Sequence, residues 1–196
     1  MTAPLATTAG ERFLGAQRRF RYSAFRLETR QSYAGSGEDD ALDAFRSGLP
    51  QPPLDADDLA YLDAVRAARA RGAHWQRVHV VTEPLSDYLR FELTWEYGPN
   101  VDGGEQIGIV SVGAGQRWPD DLPTADFWLF DSSMLFELRY DQDDRWLGIE
   151  EVTDPRRIRQ TCRWRDAALH QATPWQDYLA SLPELGRRVP AMREAS

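Results

Sequence analysis

The segment from Pro84 to Tyr97 places charged side chains among residues suited to a protein interior, and this combination constrains the fold more than any other part of the sequence. Arg90, Glu92 and Glu96 lie between large apolar and aromatic residues. A charge that leaves water must be paired or change its pKa. The segment therefore contributes either to a binding site or to a structural ion-pair network, and no catalytic or metal motif accompanies it to decide between them.

The secondary structure of the same segment is ambiguous. Strict alternation of apolar and polar residues from Leu89 to Tyr97 favours a strand. Leucines also recur every four residues, with Pro84 before the segment and Gly98 after it, and this spacing favours a helix. We predict a helix, which places Glu92 on or near the buried face. A strand would instead put the charged residues together on one solvated face.

The rest of the chain predicts an α+β domain. Its 196 residues, 42% hydrophobic and 28% charged, are enough for one substantial core. Helices are predicted over 9–21, 39–47, 55–71 and from Asp154 and Thr173 onwards, and strands over 24–29, 76–82, 106–111 and in a meander over 126–152. Strands this close in sequence should pair antiparallel. We predict a single domain over residues 1–183, with a central antiparallel sheet of four or five strands flanked by helices, and a loose tail over 184–196.

The meander also predicts an uncovered apolar surface. Alternate residues of a strand point to opposite faces. The outward set of its second strand is predicted to be Leu135, Glu137, Arg139 and Asp141. Every residue of FWLF at 127–130 is large and apolar, so a helix or another chain must cover at least one of its faces. We expect self-association, as a homo-oligomer, or a bound partner at this face or at the adjoining 84–97 helix.

Charge and residue usage exclude several classes of function. A net charge of -8 and a pI of about 4.9 should repel a phosphate backbone, so direct nucleic-acid binding is not expected. All 23 basic residues are arginine, which excludes a Schiff-base or P-loop lysine. The three histidines stand without ligand spacing, so we expect neither a metal site nor a cofactor.

The predicted location follows from cysteine content and hydropathy. The single Cys162 cannot form an internal disulfide and favours a reducing compartment. No apolar run has the length of a signal peptide or reaches the roughly 20 residues of a membrane helix. We expect a cytoplasmic protein without membrane contact.

Candidate ligand- or partner-binding residues surround the predicted strand-to-helix junction. Glu83, Asp87, Arg90 and Glu92 would form a polar cluster there that binds a small cationic or hydrogen-bonding ligand. The alternative interpretation, which we favour, is a buried ion-pair network that fixes the junction. Aromatic and amide residues complete the candidate set: Tyr88, Trp95, Asn100 and Trp128.

The order of the motifs resembles a known family. The chain contains FRLET, then RARGAHWQRVHVVTEPLSDYLRFELTWEYGPNVDGGEQI, DFWLFD, RYDQDDRWLGIEEVTDP and WRDAAL. From about Phe20 to Leu182 this resembles an uncharacterised actinobacterial family, domain of unknown function 6879. Members are often encoded near helix-turn-helix regulators, which implies a regulatory setting.

A fainter similarity connects the chain to regulators themselves. VVTEPL at 80–85, DFWLF at 126–130 and EVTDP at 151–155 look like parts of the C-terminal domain that follows the DNA-binding domain in many actinobacterial regulators. No helix-turn-helix is recognisable in this chain, so DNA reading does not carry over.

Two functional hypotheses follow. The leading one is a non-enzymatic regulatory or sensor-like module that acts through a protein partner, such as a helix-turn-helix regulator, with or without a small ligand. The alternative is a small enzyme or toxin-like effector that uses Asp87, Arg90 and Glu92, which requires a pocket where those groups converge.

Overall fold

The computed structural model describes residues 8–35, 37–182 and 185. The helices of this part are α1 (Thr8–Arg19), α2 (Asp39–Arg46), α3 (Ala56–Ala70), α4 (Asp87–Phe91), α5 (Tyr97–Gly103), α6 (Pro155–Gln171) and α7 (Trp175–Ala180). A π-helical segment, Glu92–Glu96, joins α4 to α5. The strands are β1 (Ser23–Glu28), β2 (His74–Thr82), β3 (Gln106–Val112), β4 (Phe127–Phe130), β5 (Met134–Tyr140), β6 (Trp146–Val152) and β7 (Thr173–Pro174).

Local sequence signals set the ends of the helices. The Asp55 carboxylate accepts hydrogen bonds from the backbone N–H groups of Asp57 and Asp58, and the Asp58 side chain completes a capping box at the start of α3. Gly72 follows this helix with a φ of 76°, which glycine adopts without strain. The three helices predicted before Gly72 are confirmed, with ends that differ by at most two residues.

The strands form one mixed sheet of seven strands in the order β6-β5-β4-β1-β2-β3-β7. β1, β2 and β3 run parallel, and the other neighbours are antiparallel. The predicted α+β class is confirmed, but the prediction of four or five antiparallel strands was wrong in number and in part of the pairing. The chain between β1 and β2, and again between β2 and β3, contains helices. Such crossovers return the chain in the same direction, so these neighbours are parallel.

Helices cover both faces of the sheet at β4. α6 packs over the face that holds Phe127 and Leu129, and α1 packs over the face that holds Trp128 and Phe130. Leu135 is fully buried on the α6 side, so its predicted place in an outward set was wrong. The expected uncovered aromatic surface does not occur at β4, because helices from distant parts of the chain pack on each side.

The segment at 84–97 is helical from Asp87 onwards, which confirms the prediction of a helix. The Ser86 hydroxyl accepts a hydrogen bond from the Leu89 backbone N–H and caps the start of α4. Glu92 is buried, as the helical spacing predicted. The π-helical turn was not predicted, because periodicity alone does not distinguish it from an α-helix.

The described residues test two further predictions only in part: the loose C-terminal tail and the lack of a membrane helix. Leu185 is the one described residue of the predicted tail over 184–196, and it lies in an apolar cluster with Tyr178 and Leu179. The rest of that tail lies outside the described residues. Among the described helices, none combines the length and the apolar character that crossing a membrane requires.

Candidate functional site

The parallel pairing of β1 with β2 aligns charged side chains in the middle of the sheet. Arg26 is the register partner of Arg77, and Glu28 is the register partner of His79. Alternation along each strand places all four side chains on the same face. Apolar side chains of α3, α4, the π-helical segment and α5 pack against the same face. The charged groups are therefore enclosed between the sheet and these helices.

The π-helical segment directs two more polar side chains toward His79. The Tyr97 backbone N–H bonds to the Glu92 carbonyl, five residues earlier, so the two side chains lie on one side of the helix. His79 Nδ1 is 3.2 Å from Glu92 Oε2 and 2.7 Å from Tyr97 Oη. Tyr97 Oη is also 3.2 Å from Glu92 Oε2 and 3.3 Å from Glu28 Oε2.

Arginines tie these groups to the rest of the fold. Arg77 Nε donates to Glu105 Oε1 at 2.8 Å, and its Nη1 lies 3.2 Å from Glu28 Oε2. Arg77 Nη2 donates to the hydroxyl of Tyr61 on α3 at 3.0 Å. Arg26 Nη2 lies 2.7 Å from the other Glu28 oxygen, Oε1. We call this set the buried charge network, and its charged members are Arg26, Glu28, Arg77, His79, Glu92 and Glu105.

Burial and mutual charge determine the ionisation of the network. The side chains of His79, Glu28 and Glu92 are 0%, 1% and 4% exposed. Burial alone would lower the pKa of His79, but Glu92, Glu28 and a backbone carbonyl raise it to about 9. Burial alone would raise the pKa of Glu28, but two guanidinium groups and His79 lower it to about 2. The network thus pairs two guanidinium groups and the His79 imidazole with three carboxyl groups.

The imidazole of His79 has a fixed orientation. Its Nε2 lies 2.7 Å from the backbone carbonyl oxygen of Arg30, which can only accept a hydrogen bond, so Nε2 carries a hydrogen. Nδ1 is the nitrogen that faces Glu28, Glu92 and Tyr97. The ligand atoms of Glu28, His79 and Glu92 lie within 4.8 Å of one another, a spacing that could hold a metal ion.

Three of the candidates predicted from sequence lie at or beside the network. Glu92 is part of it, although its charged partner is His79 and not an arginine. The Tyr88 hydroxyl donates to Glu38 Oε2 at 2.6 Å and lies 3.4 Å from Glu92 Oε1. Trp128 is buried in the apolar cluster beneath α1, with its ring 5.6 Å from the Arg26 guanidinium.

The other candidates lie apart from the network. Glu83 accepts hydrogen bonds from Ser111 and Tyr178, and Asp87 is exposed at the start of α4. Their predicted partner Arg90 is half-buried and donates to the backbone carbonyl of Leu85. The predicted cluster of Glu83, Asp87, Arg90 and Glu92 therefore does not form as one unit.

The remaining two candidates have structural contacts. Trp95 packs in an apolar cluster with Phe45 and Phe91. The backbone carbonyl of Asn100 accepts hydrogen bonds from the N–H groups of Gly104 and Glu105, at the end of α5.

Sequence reasoning missed most of the buried charge network. It did not select five of its members, which lie on β1, on β2 and directly before β3: Arg26, Glu28, Arg77, His79 and Glu105. One signal was present in β2, where Arg77 and His79 alternate with Val78 and Val80, and this strand is buried on both faces. Charged residues on a doubly buried strand need partners, but the sequence does not say which strand supplies them.

Two surface depressions, each of about 400 Å³, approach the network from its Glu105 end. Val101, Glu105 and Gln106 line both of them. Neither is lined by Glu28, His79 or Glu92, so these depressions do not open onto the His79 end of the network.

Comparison with known proteins places the chain in a family. Residues 11–180 match the model of DUF6879, described as a domain of unknown function. The chain belongs to this family. The matched range contains every charged member of the buried charge network. A search of curated proteins finds no match.

Proposed function

We propose that this protein is a non-enzymatic, sensor-like regulatory module of the cytoplasm that acts through a protein partner. The observation that carries the proposal is the enclosure of its main polar constellation. A catalytic site must admit a substrate, whereas His79, Glu28 and Glu92 are at most 4% exposed. Asp87 and Arg90, which an enzymatic role would require beside Glu92, do not contact its carboxylate in the described structure.

The position of the network suits a sensor. It joins β1 and β2 to the π-helical segment, so a change of charge or occupancy at His79 acts directly on the helix that carries Glu92 and Tyr97. Molecular switches commonly combine a local electrostatic change with an element that can take two positions. We infer that the π-helical segment is this element.

A direct contact connects the π-helical segment to the surface. Gln51 Nε2 donates to the backbone carbonyl of Trp95 at 3.1 Å, and the Phe45 ring packs 5.1 Å from the Trp95 ring. Gln51 belongs to the proline-rich connection LPQPPL between α2 and α3, at residues 49–54. Movement of Trp95 would therefore shift this connection.

The same connection offers an apolar surface for a partner. Leu49 is 58% exposed and Leu59, at the start of α3, is 48% exposed. Leu49 stands beside Pro50, and its exposed apolar side chain is available for contact with a partner. We propose that a helix-turn-helix regulator binds here, in keeping with the regulatory setting that the sequence resemblance implies.

The test is co-purification of the full chain with a helix-turn-helix regulator encoded beside it, followed by titration calorimetry. Leu49→Asp should weaken the complex at least tenfold, because it places a charge in the proposed apolar contact. Leu147→Asp is the matched control, since Leu147 is equally exposed but lies on β6. An absent complex, or equal effects of the two substitutions, would contradict the proposal.

A further inference from the structure

We propose that Glu28, His79, Glu92 and Tyr97 form a four-coordinate binding site for one divalent transition-metal ion, with Zn²⁺ as the best fit. The donor atoms are Glu28 Oε2, His79 Nδ1, Glu92 Oε2 and Tyr97 Oη. The inference does not depend on a protein partner, because the metal and the partner would occupy different parts of the molecule.

The spacing of most of the donor atoms is close to that of a tetrahedral site. Measured from His79 Nδ1, the donors of Tyr97, Glu92 and Glu28 lie at 2.7, 3.2 and 3.7 Å. Measured from Tyr97 Oη, those of Glu92 and Glu28 lie at 3.2 and 3.3 Å. Metal–ligand bonds of about 2.0–2.1 Å place tetrahedral ligands about 3.3–3.4 Å apart. The five distances, from 2.7 to 3.7 Å, bracket this separation.

The ligand atoms that point away from the proposed metal also have polar neighbours, as in known metal sites. A metal-binding histidine usually donates its second ring N–H to a carbonyl or carboxylate, and His79 Nε2 faces the Arg30 carbonyl at 2.7 Å. Glu28 Oε1 is bound by Arg26 at 2.7 Å, and the Tyr88 hydroxyl lies 3.4 Å from Glu92 Oε1. The Oε2 atoms of both carboxylates face His79 Nδ1, and that of Glu28 also lies 3.2 Å from Arg77 Nη1.

The charge of the surroundings also favours a cation. Metal binding at Nδ1 displaces the Nδ1 proton of His79 to solvent. The carboxyl groups of the network then outnumber its guanidinium groups by three to two. Imidazole and carboxylate ligands suit zinc and its first-row neighbours, whereas magnesium and calcium prefer oxygen ligands alone.

Because the site is enclosed, a metal must enter while the chain folds or when the π-helical segment moves away from the sheet. Metal binding of this kind is coupled to folding. The experiment therefore unfolds the full-length chain, refolds it with ZnCl₂ or CoCl₂, removes free metal, and measures bound metal by elemental analysis. We expect one equivalent per chain, and for cobalt the intense visible absorption of tetrahedral coordination.

Substitutions decide whether the bound metal occupies this site. His79→Gln should weaken binding more than 100-fold, and Tyr97→Phe, which removes only the hydroxyl, at least tenfold. His74→Gln is the matched control, because it removes an exposed histidine from the same strand and should leave the affinity unchanged.

Circular dichroism establishes that each variant is folded, and Tyr97→Phe alone is decisive if His79→Gln does not fold. Failure of the refolded wild-type chain to retain either metal would overturn the proposal. Unchanged affinity in a folded Tyr97→Phe or His79→Gln variant would also overturn it, since the metal would then sit elsewhere.

Discussion

At the scale of single residues, each basic group of the buried charge network contacts a carboxyl group, and each member depends on the others. Glu92 illustrates this dependence, because its carboxylate contacts His79 and Tyr97 while it is almost completely removed from water. Taking one partner from such a network leaves an opposite charge buried without compensation. The network therefore makes the fold sensitive to changes that would be harmless at the surface.

Glu92→Ala is accordingly expected to destabilise the protein by about 3–5 kcal/mol, since His79 would keep a buried charge with one fewer partner. Asp87→Ala, on the exposed face of the same helix, should cost less than about 1 kcal/mol. Urea unfolding of both variants measures the difference. Similar losses for the two substitutions would show that burial of Glu92 has little energetic consequence.

Glu96 provides a test of pH dependence. Burial, together with the carboxylates of Glu38 and Asp58, raises the pKa of Glu96 to about 8 from an ordinary value of 4.5. The folded state therefore binds this proton more tightly than the unfolded state. The associated stability is fully present below pH 4.5 and is lost as the pH rises through 8.

Glu96→Gln keeps the shape of the protonated side chain but cannot ionise. We expect wild type and variant to melt at similar temperatures near pH 4, and the variant to melt at a higher temperature near pH 9. Thermal denaturation followed by circular dichroism at both pH values measures this. A wild-type advantage at high pH would mean that ionised Glu96 is stabilised in the fold.

At the scale of secondary structure, local signals predicted most helices and strands. In the structure, α3 begins after the Asp55 carboxylate cap and ends before Gly72, within one residue of the predicted bounds of 55–71. The 84–97 segment was harder to predict, because its alternation of apolar and polar residues is also typical of a strand. Its helical state follows from the Ser86 cap and from leucines that all reach one apolar cluster.

The π-helical turn marks the limit of local prediction. The sequence did not predict it, because a π-helical turn differs from an α-helical turn in its backbone hydrogen bond, which joins residues five apart and not four. Its effect is large nevertheless, since that bond brings Tyr97 and Glu92 to the same side of the helix beside His79. The geometry of the buried charge network therefore depends on an element that hydrophobic periodicity does not report.

At the scale of the whole molecule, the candidate site is assembled from residues far apart in sequence. Glu28 meets His79 because β1 and β2 are parallel neighbours in one particular register. Shifting that register by one residue would turn His79 to the opposite face. The sequence predicted a helix with Glu92 on or near its buried face, but the identity of its partner required the tertiary pairing of strands.

The net charge of the whole chain argues against nucleic-acid binding. The chain carries a net charge of -8, and a phosphate backbone repels such a molecule at long range. Its densest basic stretch lies on α6, where two of the arginines are already paired: Arg157 with Glu137 and Arg165 with Asp166. We therefore expect no duplex-DNA binding by the isolated protein at physiological salt. A gel-shift titration measures this, and micromolar binding that weakens as salt rises would refute the prediction.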